Sequence, residues 1–232
     1  MISARFGNLR RWHFRFIAVS DTIGGMVYES QHPLVKHKLA ILRDVATNPI
    51  QFRALVGELT QFLCYEACAD LPLNTIQVET PMGQAEGHAL VPKVGFVPIL
   101  RAGLGMVEPI WAMIPNAVIW HMGMYRNEET LEPVYYYDKF DEHEVNIDIA
   151  ILLDPMLATG GSAIAGCDRL KAWGVKQIKY IGLIAAPEGV AALQEKHPDV
   201  PIYVGAIDSH LNDIGYIVPG LGDAGDRQFG TF

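Results

Sequence analysis

The chain has little of what would let it cross a membrane, staple itself covalently or grip nucleic acid. Its three cysteines are too few, and odd in number, for a disulfide framework, which points to a reducing compartment such as the cytoplasm. No apolar run approaches the roughly 18–20 residues of a membrane-spanning helix, so no membrane partner is expected. The formal net charge of −8 has the wrong sign for binding phosphate backbones, so nucleic acid is not expected as a main partner. Cys64 and Cys68 lie four apart, but no His or Cys stands at zinc spacing from them, and they read as small buried hydrophobes. Internal repeats, low-complexity tracts and any dividing linker beyond residue 26 are also lacking.

What is present is a chain of 232 residues, 50% hydrophobic, long enough to bury a sizeable core. The first 25 residues stand apart as a leader. They carry Arg5, Arg10, Arg11 and Arg15, hold no acid before Asp21, and end in Gly24-Gly25 ahead of Met26. Such a leader is either an organelle-targeting segment or upstream sequence in front of a start at Met26; the lack of a long amphipathic run favours the second. Residues 26–232 are expected to form one α/β domain.

Pro33 and Pro49 suit the first turns of helices over 34–46 and 50–69. In the second, Phe52, Leu55, Val56, Leu59, Phe62 and Leu63 share one stripe, the spacing of a helix packed on a core. Strands are expected at 75–79, 94–100, 117–124, 149–153, 178–185 and 202–207, with helices at 104–113 and 187–196. The stretch 124–140 has a polar front half and reads as an exposed hairpin or flap. Strands alternating with helices imply a mostly parallel sheet flanked by helices, and ligands of such sheets sit at the carboxyl ends of the strands.

The segment IAILLDPMLATGGSAIAG, residues 149–166, is a short apolar strand that ends on Asp154, passes through Thr159-Gly160-Gly161-Ser162 and enters a helix. Turns of this kind are often merely structural. Here a strand-end carboxylate, a run of small hydroxyl and glycine residues and a Pro-free helix coincide. Backbone amides and the positive end of the helix dipole then suit a phosphate. No Lys precedes the Thr or Ser, so this is not a Walker loop. Hydroxyls and amides would hold a monophosphate and Asp154 the sugar hydroxyls, a combination that suggests a ribose 5-phosphate.

Arg101 follows the strand 94–100 and can clamp a diphosphate bidentately, although an isolated Arg is more often an ion-pair partner. Arg126, in the polar flap, has the same two readings, and a closing flap would make it a second clamp. Gly220-Leu221-Gly222-Asp223-Ala224-Gly225 matches GxGxxG, but seven residues remain after it, too few to complete a βαβ unit. These glycines instead let backbone approach a flat ligand. Strand alternation puts Tyr135 and Tyr137 on one face and Tyr136 on the other, and packing or a subunit contact is expected of them rather than base stacking.

The segments VPILRAGLGM (97–106), GMYRNEETLEPV (123–134), DPMLATGGSA (154–163), AAPEG (185–189), GYIVPGLGDAGDRQFGT (215–231) and HPLVKHKL (32–39) resemble those of uracil phosphoribosyltransferases. The resemblance covers about residues 27–232 and implies a type I phosphoribosyltransferase fold with a hairpin flap and a C-terminal base-binding hood. It implies uracil and phosphoribosyl diphosphate as small-molecule substrates, Mg²⁺ carried mainly through the diphosphate, and GTP as an activator in parts of the family. A homodimer or higher oligomer is also implied.

Residue by residue, the resemblance places the phosphoribosyl group on Asp154, Pro155, Met156, Leu157, Ala158, Thr159, Gly160, Gly161 and Ser162. It places the diphosphate on Arg101 and Arg126. Uracil falls to Ile217, Gly222, Asp223 and Ala224, with Asp223 also reaching the phosphoribosyl group; Asp223, Asp154, Arg101 and Arg126 are the expected catalytic set. Most relatives of the wider fold carry two adjacent acids in this loop, whereas Pro155 follows Asp154 here, as in the uracil branch. A phosphoribosyltransferase for another base and a pyrimidine-responsive RNA-binding regulator on the same fold are the alternatives; the tail 215–231 argues against the first and the net charge against the second.

Overall fold

The computed structural model describes residues 26–126 and 133–231, with the side chains of Arg126 and Pro133 outside the description. The leader 1–25 and the front of the expected flap, 127–132, therefore lie outside the described residues.

In chain order, β1 (Val27–Glu29) leads to α1 (Pro33–Arg43) and α2 (Pro49–Ala67). The strands β2 (Leu73–Thr80), β3 (Gly83–Leu90) and β4 (Val94–Leu100) follow, then a 3-10 segment (Ala102–Met106) and α3 (Val107–Trp111). Next come β5 (Val118–Ile119), β6 (Met122–Arg126), β7 (Pro133–Tyr137), β8 (Ile149–Leu153), β9 (Met156–Leu157) and α4 (Gly161–Trp173). The chain closes with β10 (Gln177–Ala185), α5 (Pro187–Lys196), β11 (Ile202–Ile207), β12 (His210–Leu211), β13 (Ile217–Val218) and α6 (Ala224–Phe229).

Among the described residues the main sheet runs β1-β11-β10-β8-β4-β6-β7. Every pairing along it is parallel except β6 with β7. All five residues of β8 are buried, as a strand covered on both faces requires. Their side chains alternate. Ile149, Ile151 and Leu153 face a core shared with α1, α2 and α3, while Ala150 and Leu152 face one shared with α4 and α5.

The two N-terminal helices start where proline and a capping side chain coincide. His32 accepts the Leu34 amide and Asn48 the Gln51 amide, each just ahead of a proline at the first helical position. At the far end of α2, the buried Lys179 of β10 donates to the Ala67 carbonyl at 2.6 Å and pairs with Asp70, placing a cation at the negative end of the helix dipole.

Three expectations are corrected. The strand expected at 75–79 is one arm of a separate hairpin, β2 with β3, in register from Leu73↔Leu90 to Thr80↔Gly83. Its second arm, GQAEGHAL, contains no β-branched or aromatic residue and so carries no strand propensity of its own. The strand expected at 117–124 is split into β5 and β6, which pair with successive parts of β4. Between them Trp120 packs its ring against Phe140, His143 and Trp173. The helix expected at 104–113 is a 3-10 segment plus a five-residue helix containing Pro109, which has no amide to donate.

Tyr135, Tyr136 and Tyr137 are all exposed. The β6–β7 register jumps between Gly123↔Tyr137 and Met124↔Tyr135, leaving Tyr136 at a bulge, and the Tyr135 hydroxyl donates to the Ala165 carbonyl of α4. No helix of the described residues is long and apolar enough to cross a membrane.

Leu153 ends the central strand with no exposed surface. Leu153→Ala is expected to cost about 2–5 kcal/mol, read as a lowered urea midpoint at unchanged slope.

Candidate active site

Because β8, β4 and β6 are neighbours and parallel, their carboxyl ends share one edge of the sheet. Asp154 leaves β8, Arg101 leaves β4, and β6 ends at Arg126. Sheet topology alone thus gathers three of the expected residues, although the Arg126 side chain lies outside the described residues.

The turn after β4 lies hard against β8. A Cβ at Gly103 would stand 2.5 Å from the Leu153 carbonyl oxygen, so only glycine fits there. The peptide joining Leu100 to Arg101 is cis. Arg101 itself is exposed.

Asp154 sits at the root of the loop, and only part of its surface reaches solvent. Burial pushes its carboxyl up to about 7, against the smaller opposing effect of the Met156 amide, which donates to Oδ1 at 3.4 Å. The Asp154 carbonyl is held in turn by the Tyr180 hydroxyl at 3.0 Å.

The segment 154–162 is not all loop. Met156 and Leu157 form β9 against β10, and the Leu157 carbonyl accepts the Ala186 amide. The Pro155 carbonyl accepts the amides of Leu183 and Ile184. Between β9 and the first turn of α4, the stretch outside the sheet is Ala158–Ser162. Gly160 takes φ +85 at the N-cap of α4, with its Cβ position 3.0 Å from the Gly189 carbonyl oxygen. Gly161 and Ser162 open the helix, where amides have no intrahelical partner and point outward.

The tail covers this edge. After β11 it makes the small β12–β13 hairpin, reaches buried Ile217, turns through Gly220 and Gly222 at φ +66 and +79, and enters α6. Asp223 caps α6, its Oδ1 accepting the Asp226 amide at 2.8 Å. Gln228 Nε2 donates to the Ala102 carbonyl at 3.1 Å, and Asp226 Oδ1 lies 3.7 Å from the Arg101 guanidinium. Residues 222–228 thus pack on the turn that carries Arg101. The GxGxxG match follows a two-residue antiparallel strand and runs into the first two residues of a six-residue helix, and no βαβ unit surrounds it.

Several contributors are not legible in the sequence. Gly189 stands there only as part of AAPEG, yet a Cβ on it would lie 2.3 Å from the Ala158 carbonyl oxygen, so its bareness lets the cradle approach α5. Asp226 and Gln228 give no local signal because their partners, Arg101 and Ala102, are over 120 residues away. Among the described residues no three His, Cys, Asp or Glu side chains gather into a metal cage.

The elevated carboxyl of Asp154 has a sign that can be checked. Folded Asp154 keeps its proton up to about pH 7, whereas the unfolded group loses it near the ordinary value of 3.8. The folded state binds the extra proton between those limits, so this group's contribution falls as pH rises through the window and is level above it. Asp154→Asn is expected to flatten stability between pH 4 and 7 and to raise it at pH 8, measured by urea unfolding at each pH. The gain is expected to be a few kcal/mol, since each tenfold change in proton affinity is worth about 1.4 kcal/mol.

Comparison with known proteins agrees with this geometry. The family model described as uracil phosphoribosyltransferase matches residues 29–231. A uracil phosphoribosyltransferase of Roseiflexus castenholzii is 60% identical over 205 residues, 88% of this chain and 98% of that protein. The AQ2163 protein of Aquifex aeolicus, a solved structure, is 41% identical with a TM-score of 0.84, covering 89% of this chain and 99% of its own. An adenine phosphoribosyltransferase of Trypanosoma brucei, solved with AMP, pyrophosphate and ribose-5-phosphate, shares the fold alone, at 14% identity and a TM-score of 0.58 over 91% of this chain and 92% of its own. With the match running through the cradle, the Arg101 turn and the tail alike, this chain belongs to the uracil phosphoribosyltransferase family.

Proposed function

We propose that the chain joins uracil to the phosphoribosyl group of 5-phospho-α-D-ribose 1-diphosphate, releasing diphosphate and forming UMP, a reaction of pyrimidine salvage. The observation that carries this reading is the meeting of a Lys-free phosphate cradle, a strand-end Arg and a glycine-rich main-chain wall at one sheet edge.

In this reading the amides and hydroxyls of Ala158–Ser162 hold the 5-phosphate. The ribose hydroxyls donate to Asp154, which favours its ionised form and offsets the burial that raises it. Departure of diphosphate leaves an oxocarbenium-like ribose, as in other glycosyl transfers. Arg101 and Arg126 stabilise the charge growing on the leaving group. Mg²⁺, when bound to the diphosphate, supplies further neutralisation. Asp223 is half-buried at the head of α6, where its Oδ1 accepts the Asp226 amide; in this reading its carboxylate also offsets the positive charge developing on the ribose. Uracil N1 attacks from the opposite side, positioned by Ile217 and the main chain of Gly222–Ala224, so orientation and charge complementarity carry most of the acceleration.

The base is chosen by hydrogen-bond pattern. Uracil presents O2 and O4 as acceptors and N3–H as a donor. Cytosine reverses the pattern at N3 and C4, and a fixed backbone wall cannot adapt to it.

Two coarser features extend the proposal. The β2–β3 hairpin exposes Leu73, Ile76, Val78, Met82 and Leu90, and a two-stranded hairpin is marginal by itself. We assign its cover to a second copy of the chain, making a homodimer or larger homo-oligomer. The free thiols of Cys64, Cys68 and Cys167 suit the reducing cytoplasm.

Pure protein is expected to form UMP from labelled phosphoribosyl diphosphate and uracil, with cytosine disfavoured by on the order of 10⁴-fold. Omitting Mg²⁺ should abolish the reaction, and adding GTP tests the activator. Equal use of cytosine, or preference for a purine or orotate, would overturn the assignment of the base. Asp223→Asn is expected to lower kcat by about 10² or more without loss of fold, checked by circular dichroism beside the assay. Near-wild-type turnover would remove Asp223 from the mechanism. Arg126→Ala should raise KM for phosphoribosyl diphosphate several-fold more than KM for uracil, read from initial rates with each substrate varied in turn.

A further inference from the structure

The wall assigned to uracil is held in place by charges that come from elsewhere in the chain. Arg43 ends α1 and Asp208 follows β11, and their side chains are 22% and 5% exposed. The guanidinium grips the carboxylate with both arms, Nη1 to Oδ2 at 2.7 Å and Nη2 to Oδ1 at 2.5 Å. The pair also closes on one glycine. Arg43 Nη1 donates to the Gly220 carbonyl at 2.7 Å, and the Gly220 amide donates to Asp208 Oδ2 at 2.9 Å.

Both main-chain polar groups of Gly220 are therefore fixed by one ion pair. The residue has no freedom to compensate. It holds φ +66, and a Cβ would stand 2.1 Å from the Ile217 carbonyl oxygen. A second guanidinium continues the clamp. Arg227 of α6 donates to the Leu221 carbonyl at 2.8 Å and to the Asp44 carbonyl at 2.6 Å, with its plane 4.6 Å from the Phe52 ring centre. The turn from Ile217 to Gly222 is thus bound to the C-terminal end of α1.

We propose that the Arg43–Asp208 ion pair is a positioning unit for base recognition: it sets the main chain of Gly220 and with it the placement of the wall from Ile217 to Ala224. This rests on the reading of that wall as the uracil contact. Neither side chain need touch the base. They act through the backbone, and main-chain recognition suits such control because a backbone donor cannot change rotamer to recover a lost bond. The phosphate cradle, Ala158–Ser162, belongs to other elements and lies outside the clamp. A lost ion pair should therefore separate the two substrates.

The test compares wild type, Arg43→Lys and Asp208→Asn in initial-rate assays varying uracil and phosphoribosyl diphosphate separately, beside thermal unfolding of each protein. Lysine keeps the charge but cannot grip two carboxylate oxygens and a carbonyl at once. Displacing a recognition wall by about 1 Å costs up to about 10²-fold, so KM for uracil is expected to rise roughly tenfold or more, and KM for phosphoribosyl diphosphate, which Asp223 of the same wall also reaches, to rise clearly less. Preference for uracil over cytosine should fall in parallel. Unchanged KM values with a smaller active fraction, or equal rises for both substrates, would make the pair merely structural and overturn the proposal. If Asp208→Asn fails to fold, Arg43→Lys decides; loss of fold in both assigns the pair to stability alone and also overturns it. Wild-type protein that forms no UMP from uracil is a separate result, which removes the reading of the wall and the proposal with it.

Discussion

Strand β8 is hydrogen-bonded in parallel to β4 on one side and β10 on the other, with every residue buried. Parallel pairing allows one arrangement of ends: chains that enter together must leave together. Helices then have to return over both faces, because neither face of the strand can meet water. The two cores, their cover by α1–α3 on one face and by α4 and α5 on the other, and the gathering of Asp154 and Arg101 at one edge all follow from that constraint.

At that edge the protein uses two different materials. The side proposed for the phosphoribosyl group is built from local sequence, a strand end, a loop and a helix start within ten residues, with Gly160 and Gly189 bare enough for close approach. The side proposed for the base is a short tail whose regular structure is limited to the two-residue strands β12 and β13 and the short helix α6. Its conformation is set by Arg43 and Asp208 from other elements and by the tail's own Arg227 and Gln228, which reach back to Asp44 and Ala102. Partly buried ion pairs add little to stability over apolar packing, but they define one geometry sharply.

This difference explains what is legible in the sequence. The stripe of Phe52, Leu55, Val56, Leu59 and Leu63 announces α2, and the apolar run 149–153 announces β8, because burial imposes period and composition locally. The cradle and the tail are visible through glycines and through likeness to known segments. Arg43 and Asp208 leave no local trace. They are 165 residues apart, and each looks like an ordinary surface charge until the fold joins them. Strand β3 is invisible for the opposite reason, since cross-strand pairing holds residues that have no β preference of their own. The elevated carboxyl of Asp154 likewise depends on burial by distant strands, which no neighbouring residue reveals.

The clamp between Arg43 and Gly220 spans 177 residues of chain. During synthesis α1 emerges early, and its charged terminus must wait for nearly the whole of the protein before its carbonyl partner exists. Every strand of the main sheet and residues 158–162 precede residues 217–224 in chain order. A ligand stabilises a fold solely through sites already formed, so in the proposed reading the substrate acts there first through its sugar phosphate. Uracil would become useful as a folding ligand only after the tail has docked.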